Sequence, residues 1–140
     1  MNIKKAIICG LIGAVSFIVV GAVWSQVLLT VFPYFKSGIS GTIPPAKMAI
    51  TMIWMGIIEC LSFAVIFGLF YKNIPQKGFQ KGLLYSIVLW YINIFLSFLG
   101  SYAFGLIPTM PDIIFVIILK LLMLPAYGAT LGWTYEKLRI

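Results

Sequence analysis

The sequence contains no histidine and only three acidic residues among its 140 positions. The missing histidine removes the commonest metal ligand and the side chain that most often moves protons near neutral pH. The chain also lacks a Ser/His/Asp set, a glycine-rich phosphate loop and a pair of carboxylates. We therefore expect a protein that is not an enzyme and that holds no metal and no cofactor.

Cysteine is scarce as well, with only Cys9 and Cys60 in the chain. Both lie inside apolar runs, Cys9 just after the N-terminal lysines and Cys60 in the middle of a run. A disulfide requires Cα atoms within about 7 Å of each other. Because the two depths differ too much, we expect both thiols to be free.

Charged residues make up only 9% of the chain and hydrophobic residues 62%, with a mean hydropathy of +1.10. A soluble domain averages about 25% charged residues, and a chain this small cannot bury so much apolar surface in water. The sequence therefore predicts an all-α integral membrane protein whose first partner is the lipid bilayer. The net charge of +7 is attributed to basic residues beside the spans, so we expect no nucleic-acid binding.

Four apolar runs separated by short loops are each long enough for a helical span, which needs about 20 residues. The first run is too long for a signal peptide, so we expect an uncleaved first helix. The pattern predicts one transmembrane domain over residues 1–140, a four-transmembrane-helix bundle. The predicted helices cover about 6–32, 47–71, 82–107 and 113–133.

Basic residues are distributed unevenly between the two ends of the predicted bundle. The end that holds the chain termini carries Lys4, Lys5, Lys72, Lys77, Lys81, Lys137 and Arg139. The opposite end carries only Lys36 and Lys47. By the positive-inside rule, both termini are predicted to be cytoplasmic, in a multi-pass protein of the cell (inner) membrane.

Lys120 and Glu59 are charged residues placed well inside predicted spans. A charge in the middle of a membrane helix costs about 2.5–3.5 kcal/mol on insertion scales. Counted from the outer helix ends, Glu59 lies only about 5–6 Å deeper than Lys120, within reach of the lysine stem. We therefore predict an intramembrane ion pair between them.

The third helix adds polar side chains at a similar depth. Asn93 and Ser97 are four residues apart and therefore share one helix face. We predict that they complete an intramembrane polar cluster with Glu59 and Lys120. Tyr91 and Tyr127 are further candidates for the same cluster.

Small residues recur every four positions on the second helix, which favours close helix packing. They are Gly56, Cys60, Ala64 and Gly68. In the fourth helix, Pro125 removes a backbone hydrogen bond five residues after Lys120. A proline so close to a charged residue suggests a hinge.

Two functions remain open from the sequence. The first is a membrane subunit or scaffold that acts through helix packing on a larger membrane protein or on further copies of itself. The second is a small oligomeric transporter or channel, coupled to protons or cations through the Glu59–Lys120 cluster. The absence of a large loop domain favours the first, and the charges inside the spans favour the second.

Overall fold

The computed structural model describes residues 2–33, 45–103 and 110–138, with side chains described at positions 2–33, 50, 53–95 and 113–138. The described residues form four helices: α1 (Ile3–Val31), α2 (Pro45–Phe70), α3 (Gly78–Ala103) and α4 (Met110–Lys137). The prediction of an all-α chain with four helices is confirmed for these residues.

Three helices are long and apolar enough to cross a membrane. Within the described residues these are Ile3–Val31, Ile53–Phe70 and Ile113–Lys137. The described part of α3 is not among them; it carries Gln80 and Lys81 in its first turn and includes Asn93. Three of the four predicted spans therefore have the length and composition of membrane helices, and the fourth stays a prediction.

Both ends of α1 are fixed by local interactions. The Asn2 side chain accepts a hydrogen bond of 3.2 Å from the Lys5 backbone N–H, as an N-cap does. At the other end, the Phe32 N–H donates to the Leu28 carbonyl at 2.8 Å. Pro33 follows and has no N–H with which to continue the helix.

The distribution of apolar side chains on α1 is the opposite of the one expected for a helix in water. Large side chains face outward, with Val15, Val19 and Val23 between 55% and 63% exposed. Six of the eight buried positions are small residues, and Phe17 and Leu28 are the exceptions. The buried positions of the helix are Ala6, Cys9, Gly10, Gly13, Ala14, Phe17, Gly21 and Leu28. This distribution fits a bundle whose surroundings are lipid, where small residues allow helices to approach closely.

The closest helix pairs are α3–α4, α1–α4 and α1–α2, so α4 lies between α1 and α3. Glycine allows α3 and α4 to approach closely, because a Cβ added at Gly82 would collide with the backbone of Gly128. Between α1 and α2, a Cβ at Gly10 would lie 2.7 Å from the Ala64 Cβ. At these two helix pairs the closest approach is therefore made by small residues.

An aromatic cluster fills the core towards one end of the bundle. The fully buried Phe67 ring packs against three tyrosines, with ring centroids 5.4 Å from Tyr71, 5.0 Å from Tyr85 and 5.5 Å from Tyr135. These tilted and edge-on arrangements are favourable for aromatic pairs. The Tyr85 hydroxyl also donates to the Phe63 carbonyl at 2.7 Å, which joins α3 to α2.

Both termini of the described chain lie at this same end. Near the start of the chain, the Lys5 Nζ atom lies 4.8 Å from the ring centroid of Tyr135, which is near the end. The buried Lys81 donates from Nζ to the Tyr71 carbonyl at 2.7 Å. Burial, with a contribution from the Glu136 carboxylate, raises the pKa of Tyr71 above its usual value.

We call this region the lysine-rich end. Its described basic residues are Lys4, Lys5, Lys72, Lys77, Lys81 and Lys137. Arg139, Lys36 and the side chain of Lys47 lie outside the described residues.

Candidate functional site

Glu59 of α2 and Lys120 of α4 are in direct contact inside the bundle. The Lys120 Nζ atom lies 3.1 Å from Glu59 Oε1 and 3.2 Å from Oε2, so the ammonium group donates to both carboxylate oxygens. The side chains are only 17% and 25% exposed for Lys120 and Glu59 respectively. Within the described residues this is an ion pair shielded on most sides by protein.

Asn93 brings α3 into the same site. Its Nδ2 group donates a hydrogen bond to Glu59 Oε1. The Glu59 carboxylate therefore connects α2 to α3 and α4 at once. Ser97, predicted as a further member of this cluster, has a side chain that lies outside those described.

The remaining helix, α1, contributes an aromatic ring to the site. The Lys120 Nζ atom lies 5.0 Å from the centroid of the Phe17 ring on α1. A cation at this distance is attracted to the negative face of the ring. Each of the four helices thus contributes one side chain to the site: Phe17 and Glu59 contact Lys120, and Asn93 is bonded to Glu59.

Two tryptophans hold α4 one turn before Lys120. The Trp24 Nε1–H of α1 donates to the Ile118 carbonyl at 3.3 Å, and the Trp90 Nε1–H of α3 donates to the Ile117 carbonyl at 3.4 Å. Both bonds fix the depth of Lys120 relative to the neighbouring helices. The sequence analysis did not find them, although an indole N–H within an apolar span needs an acceptor.

The two candidate tyrosines lie outside this cluster. Tyr127 is fully buried, but its hydroxyl donates to the Cys60 carbonyl at 2.6 Å rather than to Glu59. Its ring occupies the space beside Gly13, where a Cβ would lie 2.7 Å from the ring. Tyr91 is 72% exposed on α3. The error arose because sequence position gives the depth of a side chain but not the neighbours it faces.

The small residues on α2 all lie in the interior. Gly56, Cys60, Ala64 and Gly68 are buried. The closest glycine contacts of the bundle, between α3 and α4, were missed by the sequence analysis. They involve Gly82, Gly128 and Gly132. The four-residue spacing from Gly128 to Gly132 is the signal that would have indicated them.

Pro125 lies within α4, and the helix continues through it to Lys137. The proline therefore does not end the helix, although it cannot donate a backbone hydrogen bond to the preceding turn. A hinge at this position stays a prediction.

A cavity of about 560 Å³ lies beside the ion pair, between α1, α2 and α4. Neither Glu59 nor Lys120 lines it, but Phe17 in its wall contacts Lys120, and Gly56 and Leu119 lie three and one positions before Glu59 and Lys120 in the chain. Ser25 and Gln26 supply polar groups. The remaining wall is apolar. The described residues contain no cluster of three or more His, Cys, Asp or Glu side chains suited to a metal ion.

A family model matches residues 1–140 of the chain. The chain belongs to the family of unknown function DUF6789. Comparison with curated proteins gives no match, and comparison with solved structures gives none.

Proposed function

We propose that this DUF6789 member is a membrane-embedded four-helix bundle in which α3 is the fourth span. Support comes from α1, where large apolar side chains such as Val15 and Val19 face outward. The polar start of α3 lies at the lysine-rich end, where it would reach the headgroup region of the bilayer. The positive-inside rule then assigns the lysine-rich end, and with it both termini, to the cytoplasmic side of the cell membrane.

We infer that the protein acts as a non-catalytic membrane subunit or scaffold. The observation that carries this proposal is the Glu59 carboxylate, which accepts hydrogen bonds from Lys120 on α4 and Asn93 on α3. Because both oxygens are engaged by the protein itself, the cluster serves to fix the relative depth of three helices. Fixing helix register is the best-attested use of a buried polar group.

The outward face of α2 is the surface we assign to a larger membrane protein or to a second copy. Trp54, Met55 and Ile58 are 62%, 64% and 58% exposed. Large aromatic and methionine side chains are enriched where proteins meet. Close to this face, α2 is held to the rest of the bundle by Glu59, which would keep the face in a fixed orientation.

Native mass spectrometry of the protein extracted gently from its own membrane tests this role. We expect a stoichiometric complex that is lost when Trp54, Met55 and Ile58 are all changed to alanine. A control variant with Val15, Val19 and Val23 of α1 changed to alanine removes similar outward apolar groups and should keep the complex. A wild-type protein that is only a monomer, or an equal loss in both variants, would contradict the subunit role.

A second candidate function is proton- or cation-coupled transport through Glu59. The cavity beside the ion pair favours this function. Gly56 and Leu119 line the cavity, and they lie within one helical turn of Glu59 on α2 and Lys120 on α4. A transporter predicts ion flux in proteoliposomes that is abolished by Glu59→Gln while the variant still folds. Absence of flux in the wild-type protein across a set of monovalent cations would exclude this candidate.

A further inference from the structure

A second cavity lies between α2 and α3, away from the ion pair. It has a volume of about 410 Å³ and is lined almost entirely by apolar side chains. Its walls come from Ile66 and Phe70 on α2 and from Leu84, Val88 and Ile92 on α3. From Leu84 to Ile92 the groove follows α3 for about 12 Å, at 1.5 Å per residue.

The groove reaches the lysine-rich end at the turn between the two helices. Asn73, Ile74 and Pro75 of this turn form its mouth. Lys72 and Lys77 flank the turn, and both side chains are exposed. Neither lysine takes part in an ion pair within the described residues. The groove is therefore apolar along its length, and Lys72 and Lys77 are exposed next to the chain segment 73–75 at its mouth.

The third lysine nearby is already engaged. Lys81 is only 8% exposed and donates to the Tyr71 carbonyl, with its Nζ atom 4.2 Å from the Tyr71 ring centroid. Glu136, the one acidic residue at this end, lies against Gly78 on the α4 side. Among the three lysines near the groove, Lys72 and Lys77 are thus the two whose charge remains available for an external anion.

The Tyr85 side chain helps to keep the groove open. Its ring packs on Phe67 and its hydroxyl bonds to the Phe63 carbonyl, so the ring stands between α2 and α3. The large Tyr85 side chain therefore lines the groove and separates α2 from α3 at this level.

We propose that this groove binds one anionic phospholipid, with an acyl chain between α2 and α3 and the headgroup phosphate at Lys72 and Lys77. A lipid is the occupant that matches an apolar groove ending in lysines at the level of the headgroups. The Asn73 side chain, exposed at the mouth, adds a hydrogen-bond donor for the phosphate. The inference rests on the proposed membrane setting and is independent of the subunit role.

The test is a lipid titration of the detergent-purified full-length protein, followed by native mass spectrometry. Phosphatidylglycerol and phosphatidylcholine with identical acyl chains are the two probes. We expect one phosphatidylglycerol to bind with clear preference over phosphatidylcholine. In a Lys72→Gln, Lys77→Gln variant the preference should fall by about thirty-fold, as expected for two lysines close to an anionic surface.

Two matched controls keep the result specific. Lys4→Gln with Lys137→Gln removes two exposed charges from the same end, away from the groove, and should retain the preference. Val88→Trp fills the groove and should weaken binding of both lipids, whereas Ile87→Trp on the outer face of α3 should not. Circular dichroism confirms that each variant keeps its helices.

Several outcomes would overturn the lipid site. They are equal binding of the two lipids by the wild-type protein, an equal loss in the two lysine variants, and unchanged binding in Val88→Trp. If a second copy of the chain filled the groove instead, the protein would form a dimer. Val88→Trp would disrupt that dimer, whereas added lipid would not. A protein that stays monodisperse without detergent would contradict the membrane setting itself, which is a separate result.

Discussion

Glu59 and Lys120 are 61 positions apart in the sequence, yet the lysine Nζ atom is within 3.2 Å of both carboxylate oxygens. The contact joins α2 to α4, a pair that is not among the closest helix pairs of the bundle. Long side chains therefore make the connection that the backbones do not. Removing one partner leaves the other as an uncompensated charge, which costs about 3–5 kcal/mol for a buried pair. Because both side chains are partly exposed, we expect a loss of stability at the lower end of this range.

The first prediction concerns the glycine contact between α3 and α4. Gly82→Ala should lower the free energy of unfolding in detergent micelles by about 1–3 kcal/mol, the usual effect of overpacking, because its Cβ would collide with the Gly128 backbone. Gly56→Ala is the matched control. A Cβ at Gly56 would lie 3.7 Å from the Phe17 ring, an ordinary contact, so that variant should be close to neutral. Equal effects of the two changes would contradict the packing described for α3 and α4.

The second prediction concerns the hydrogen bond from Trp90 to the Ile117 carbonyl. Trp90→Phe should lower the free energy of unfolding by about 1 kcal/mol or somewhat more, since a hydrogen bond and part of a ring are lost. Trp54→Phe makes the same change at a side chain that is 62% exposed and should have little effect. A stability loss at position 54 that matched the loss at position 90 would argue against the anchoring role of Trp90.

The third prediction compares two tyrosines. Tyr127→Phe removes the hydroxyl that donates to the Cys60 carbonyl and should destabilise the bundle by about 0.5–1.5 kcal/mol. Tyr91→Phe deletes the same atom from a ring that is 72% exposed, and we expect no measurable loss. If only the position-91 variant were destabilised, the assignment of Tyr127 to the core contact between α4 and α2 would be wrong.

The fourth prediction concerns Pro125, which lies within α4. Pro125→Ala restores a backbone N–H and should raise the thermal stability of the bundle, because a helix-interior proline costs about 3 kcal/mol in an ordinary helix. Unfolding in micelles, followed by circular dichroism, measures the change. Leu121→Ala, in the turn before the proline and 50% exposed, is a control for general loss of side-chain volume. A lower stability in Pro125→Ala would contradict the view that the proline weakens α4.

Much of the fold follows from hydropathy alone. The runs of apolar residues predict four helices, and the described residues form four. The edges differ, because α3 begins at Gly78 rather than at about 82 and α4 reaches Lys137 rather than about 133. Hydropathy marks the apolar part of a helix, whereas the helix itself continues through polar residues such as Gln80 and Glu136 until the backbone turns.

The candidate site could be predicted only in part, and the reason is geometric. Counting residues from the helix ends gives the depth of a side chain, which is why Glu59, Lys120 and Asn93 can be placed at compatible levels. Counting does not give the direction in which a side chain points or the helix it meets. The sequence analysis therefore placed Tyr91 near the cluster and overlooked Trp24.

The measurement that tests the central claim most directly is a double-mutant cycle at the ion pair. Unfolding free energies in micelles are compared for the wild type, Glu59→Gln, Lys120→Met and the double variant. If the pair fixes helix register, each single change should destabilise the bundle and the double change should recover much of the loss, with a coupling energy of about 1–3 kcal/mol. Additive losses, or single variants that are as stable as the wild type, would contradict the architectural role of Glu59 and Lys120.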